Sequence, residues 1–119
     1  MQVMIADDDQ ITRSVLRTIL QDAGHEVCSE AASGMEVLAQ CNRHNLDALF
    51  LDINMPAMNG FEVLQQLRSI HPTLHVVMIS ASSTLENVRT AAKYGVNGFV
   101  VKPFTPDKVL NSLKSLKRA

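Results

Sequence analysis

The sequence predicts an α/β fold, an open doubly wound sheet of five parallel strands with five helices, and three observations predict it. Five short apolar runs alternate with five stretches of helical periodicity. Several runs, such as ALFL (48–51) and HVVMI (75–79), are apolar throughout rather than at every second residue, as in strands covered on both faces. The connections are a few residues long, which suits strand–helix–strand crossovers. With 119 residues the chain fits one domain over residues 1–119, and a closed eight-stranded barrel would need roughly twice that length.

The first strand is read over Gln2 to Ala6 (QVMIA), and Ile11, Val15, Leu16, Ile19 and Leu20 then recur at helical spacing up to a stop at Gly24. Glu26 to Ala31 is a more polar second strand, suited to a sheet edge, and Gly34 to about Cys41 a short helix. Ala48 to Leu51 forms the third strand; Phe61, Leu64, Leu67 and Arg68 mark a helix that ends before Pro72. His75 to Ile79 is the fourth strand, and Leu85, Val88 and Ala92 share one face of a helix running up to Gly95. Gly98 to Val101 (GFVV) closes the set. Thr105 then caps a last helix with Pro106 at its first position, Val109, Leu113 and Leu116 inward, and Lys114, Lys117 and Arg118 where the helix dipole favours cations.

A net charge of −1 argues against a dedicated nucleic-acid binder. No apolar stretch is long enough to span a bilayer and no leader pattern opens the chain, so a cytoplasmic protein with no membrane contact is expected. Cys28 and Cys41 lack C-x-x-C spacing and are read as small hydrophobes rather than a disulfide. The four histidines form no ligand-spaced pair, which argues against zinc.

In a parallel sheet all strand C-termini lie along one edge, where ligands bind. The residues following the apolar runs are therefore brought together: Asp7, Asp8 and Asp9 after the first, Asp52 after the third, Ser80 after the fourth and Lys102 after the fifth. Taken singly, each has a plain explanation. Asp9 is read as the cap of the first helix, Ser80 would be a loop residue, and Lys102 a solvated charge before the turn at Pro103. One cap does not need three carboxylates, however, and clustered acids repel one another unless protons or a cation relieve them. The donors are hard oxygens, which points to Mg²⁺ or Mn²⁺. Acids that share an ion must come from adjacent strands, which sets the first and third side by side and the second outside the first. A metal beside a lysine and a hydroxyl suits a phosphoryl group, leaving one carboxylate free as nucleophile.

The segments MIADDDQ, LFLDINMPAMNGFEVL, VVMISASS and GVNGFVVKPF, in this order and spacing, resemble the receiver domain of two-component response regulators, and the stand-alone chemotaxis regulators in size and layout. The resemblance covers essentially the whole chain. It implies a flavodoxin-like fold with strand order 2-1-3-4-5. It also implies Asp52 as phosphoacceptor, Mg²⁺ held by Asp7, Asp8, Asp52 and the backbone carbonyl of Asn54, and catalytic roles for Ser80 and Lys102. A cis bond between Lys102 and Pro103 is a further implication.

Ser80 and Phe99 would form a switch, the serine moving toward the phosphate and Phe99 filling the space it leaves, which alters the surface of the fourth helix, fifth strand and fifth helix. The expected partners are a histidine kinase or phosphotransfer protein and a downstream effector or fused output domain, with the protein a monomer or a phosphorylation-dependent dimer. It would not be an enzyme beyond catalysing its own phosphorylation and dephosphorylation. The competing reading is a small Mg²⁺-dependent phosphohydrolase with an aspartyl nucleophile. No cap domain and no second acid beside Asp52 support it.

Overall fold

A computed structural model describes residues 1–43, 45–81 and 84–114. Five parallel strands, β1 (Gln2–Ala6), β2 (Glu26–Ala31), β3 (Ala48–Asp52), β4 (His75–Ser80) and β5 (Gly98–Val101), form one sheet in the order β2-β1-β3-β4-β5. The helices are α1 (Gln10–Asp22), α2 (Gly34–Cys41), α3 (Gly60–Ile70), α4 (Leu85–Lys93) and α5 (Pro106–Asn111). Element order, strand order and class agree with the sequence reading. Both β3 and β4 run one residue further than expected, so Asp52 and Ser80 are the last residues of their strands rather than the first beyond them.

The two faces of the sheet account for the lack of alternation in the strands. One core joins Val3, Ile5, Phe50, Val77 and Ile79 to Leu16 and Leu20 of α1 and Val109 and Leu113 of the α5 region. The other joins Met4, Leu49, Leu51 and Met78 to Val37 of α2, Leu64 and Leu67 of α3 and Ala91 of α4. Successive strand side chains point to opposite faces, and here each face finds a hydrophobic cover. Both cysteines are free thiols, and burial pushes the Cys41 thiol up to about 11, which makes it inert packing. Leu116, Lys117 and Arg118 lie outside the described residues.

Two helical patterns hold as periodicity but differ in what they bury. In α4 the stripe of Leu85, Val88 and Ala92 faces solvent, and Ala91 is the residue that reaches the core. In α1, Leu16 and Leu20 are buried, whereas Ile11 and Val15 are exposed. At the edge opposite the strand C-termini, Arg68 holds the turn after α4. Its guanidinium donates to the carbonyls of Leu74 (2.6 Å) and Gly95 (2.7 Å) and to Asn97 Oδ1 (3.0 Å), and that same oxygen accepts the Val76 N–H (2.8 Å).

Candidate phosphoacceptor site

Asp7 follows β1 directly and is fully buried. Its N–H extends the sheet ladder to the Ala31 carbonyl (3.0 Å), and its Oδ1 accepts the Asp9 N–H (2.8 Å). Asp8 is exposed on the turn that follows. Asp9 caps α1 as expected, its carboxylate accepting the Ile11 N–H (3.1 Å) and the Thr12 hydroxyl (2.7 Å); the Thr12 bond chiefly lowers its pKa.

Asp52 is 3% exposed at the end of β3, and its Oδ1 accepts the Asn54 N–H at 3.1 Å. Behind it lies the N-terminus of α3, where Asn59 and Glu62 form a reciprocal capping box. Gly60 N–H donates to the Ile53 carbonyl at 2.7 Å, and a Cβ on Gly60 would collide with the Asp52 carbonyl oxygen and come within 2.8 Å of Ile53 Cα. Gly60 therefore lets a helix seat directly on the backbone that presents Asp52. Between them, Ala57 adopts a φ of 67°, a conformation that an L side chain disfavours.

Lys102, just past β5, reaches back across the edge. Its Nζ lies 2.9 Å from Asp7 Oδ2 and 3.3 Å from Asp52 Oδ2. Its N–H donates to the Ser80 carbonyl at 2.7 Å, and the following bond to Pro103 is cis. The alternation of the strands explains the grouping. Continuing from Ile5, Phe50 and Val100, it sends Asp7, Asp52 and Lys102 toward the α1/α5 side. Ser80, 1% exposed, has the parity of Met78 and belongs to the other side. Phe99 pairs with Met78 in the ladder and packs half-buried against that same core, so Ser80 and Phe99 share the face that α4 covers. Asn54 is exposed next to Asp52.

The charges leave the cluster strained. Burial raises the Asp52 pKa to about 6; the charge of Asp7 adds to the rise, and the Asn54 N–H and Lys102 oppose it. Burial works against the Lys102 charge, but the adjoining Asp7 and Asp52 carboxylates more than compensate and raise its pKa. Asp7 Oδ2 is buried with Lys102 as an ion-pair partner but accepts no aligned hydrogen bond. One carboxylate oxygen from each of Asp7, Asp8 and Asp52 lies within 4.8 Å of the others, close enough to share one ion. An all-oxygen set with an unsatisfied buried lone pair suits a hard divalent cation. Arg13, whose Nη1 donates to the Asp7 carbonyl oxygen at 2.6 Å, Asn59 and Gly60 touch the site but were passed over in the sequence reading. A glycine directly after a capping Asn is a readable signal, whereas a contact from α1 back to the Asp7 backbone leaves none.

Residues 3–114 match the model of the response regulator receiver domain. The chemotaxis protein CheY of Thermotoga maritima is 33% identical over 117 residues, covering 98% of each chain. The solved structure of CheY4 from Vibrio cholerae superposes with a TM-score of 0.89 at 32% identity, over 98% of each chain. The CheX–CheY–BeF3–Mg complex from Borrelia burgdorferi matches with a TM-score of 0.93 at 32% identity, over 97% of this chain and 87% of that one. Strand order, site composition and these likenesses converge: the chain belongs to the response regulator receiver domain family, the signalling modules of two-component systems.

Proposed function

We infer that the chain is a single receiver module over residues 1–119 that takes a phosphoryl group from a phosphohistidine donor onto Asp52. The observation that carries this reading is a buried carboxylate held between a second buried acid and a lysine, at the one sheet edge where α/β folds place their chemistry. Asp52 is the nucleophile. One Oδ attacks phosphorus as the bond from phosphorus to the donor imidazole nitrogen breaks, and the proton needed by the leaving imidazole comes from solvent. The Asn54 N–H orients the carboxylate, and Lys102 supplies positive charge to the phosphoryl oxygens. Asp7, Asp8, Asp52 and the Asn54 carbonyl would hold Mg²⁺, which when bound neutralises phosphoryl charge.

Ser80 then donates a hydrogen bond to the new phosphoryl group, and Phe99, on the same face of the sheet, moves inward behind it. The readout would be a changed α4/β5/α5 surface, where Leu85 and Val88 already face solvent. This surface would meet a downstream effector or output domain. Structures with and without a phosphoryl mimic test the switch, and an unchanged Phe99 rotamer would count against it.

Intact-mass measurement after incubation with Mg²⁺ and acetyl phosphate tests the chemistry. One added phosphoryl group is expected, absent in Asp52→Asn and absent when the metal is chelated. Addition that persists in Asp52→Asn overturns the assignment. Rapid turnover of many phosphate esters would favour a phosphohydrolase instead.

A further inference from the structure

Arg13, at the end of the first turn of α1, takes no part in the chemistry above, yet it ties that site to a neighbouring strand. Its side chain is 17% exposed, and its Nη1 donates to the Asp7 carbonyl oxygen at 2.6 Å. Its Nε donates to Glu30 Oε1 at 3.1 Å, and Arg17 binds the other oxygen of Glu30, through Nε at 2.8 Å and through Nη2. Glu30 is fixed in β2 opposite Ile5, two residues before Asp7. The guanidinium is thus a strut between a strand and one carbonyl. That carbonyl belongs to the planar peptide joining Asp7 to Asp8, so its orientation also sets the direction in which Asp8 leaves. Asp7 is already held by Ala31, Asp9 and Lys102. Asp8 is exposed, beyond the end of the strand, and relies on this peptide for its placement.

We propose that Arg13, anchored by Glu30, is a positioning residue that holds the Asp7 and Asp8 carboxylates in register for a divalent cation. This rests on the receiver reading above. The bland alternative is an ion pair that merely ties α1 to β2. The two differ in sign as well as in size. A cation near an acidic site repels a second cation, so if Arg13 acted by charge alone its removal would tighten metal binding. If it acts by orienting the peptide, removal weakens binding, since partners that orient metal ligands are worth roughly 10–100-fold in affinity.

Calorimetric titration of the intact chain with Mg²⁺, with acetyl phosphate kinetics and thermal melting alongside, decides between them. Arg13→Ala is expected to raise the Mg²⁺ Kd about tenfold. Phosphorylation should slow at low Mg²⁺ and return to near the wild-type rate at saturating Mg²⁺. Arg13→Lys, which retains the charge and one donor, should recover part of the affinity. Glu30→Gln leaves Arg13 in place but weakens its anchor, and is expected to shift the Kd in the same direction by a smaller factor. Because Glu30→Gln also removes an anion, which weakens cation binding by charge alone, Arg13→Met, which keeps the aliphatic packing and removes the donors, carries the test should Arg13→Ala fail to fold. Unchanged or tighter Mg²⁺ binding in the folded variants overturns the proposal. A wild-type chain that is phosphorylated alongside indistinguishable variants overturns this inference alone, whereas a wild-type chain that binds no Mg²⁺ removes the receiver reading as well.

Discussion

Asp52 carries its charge at the fold's expense. Its pKa in the folded chain, about 6, lies above the ordinary 3.8, so the folded form binds more protons than the unfolded form between those values. The group's contribution to stability therefore falls as pH rises through that window, and the full penalty is present above it. For a carboxylate this buried the penalty is on the order of 2–3 kcal/mol at pH 7. In chelator, Asp52→Asn should be more stable than the wild type by about that amount at pH 7, with the gap narrowing at pH 5. Urea unfolding at the two pH values measures it. A constant or widening gap would rule out burial as the source of the shift. Ala57 is a second strained residue in the same connection, and an alanine announces nothing about its φ in the sequence. Arg13 is silent for a related reason, because its contact with the site is to a backbone atom, the Asp7 carbonyl oxygen.

Among the elements, α4 shows what periodicity conveys and what it leaves out. Leu85, Val88 and Ala92 do share a face, as their spacing requires, but the face is turned to solvent because Ala91 is the point of contact with the core. A small residue lets the helix lie close while covering little of the sheet. Serine at Leu85 or Val88 should therefore change stability by less than about 0.5 kcal/mol. Leucine at Ala91 should cost about 1–3 kcal/mol by overpacking. Denaturant melts of the three variants check the contrast, and a large loss in Leu85→Ser would mean that the stripe is covered in solution. Fully buried strands were readable because nothing polar interrupts them, and β2 was readable as an edge from its Glu and Ser residues. Both β3 and β4 run one residue past their apolar runs, since a polar side chain that finishes a strand looks the same in sequence as one that begins a loop.

For the molecule as a whole, the parallel topology made the candidate site readable. Once every strand points one way, residues remote in sequence must meet at one edge, and the positions of Asp7, Asp52 and Lys102 follow from counting along each strand. The pairing of Lys102 with both acids at once could not be counted out, because it depends on the reach of a long side chain rather than on strand parity. Binding linkage offers a global test. Mg²⁺ at a hundred times its Kd should stabilise the native chain by about 2.7 kcal/mol and raise Tm on the order of 10 °C. A variant with Asp7 and Asp8 both changed to Asn should lose most of that shift in calorimetry, and an equal shift in the double variant would place the ion elsewhere.

The bridge from Lys102 to Asp7 and Asp52 joins the far end of the sheet to its centre, and it exists only when β5 has docked. A half-made or misassembled copy would carry the acids without their counter-cation. Under the phosphoacceptor role proposed above, competence would then require the last strand to be in place.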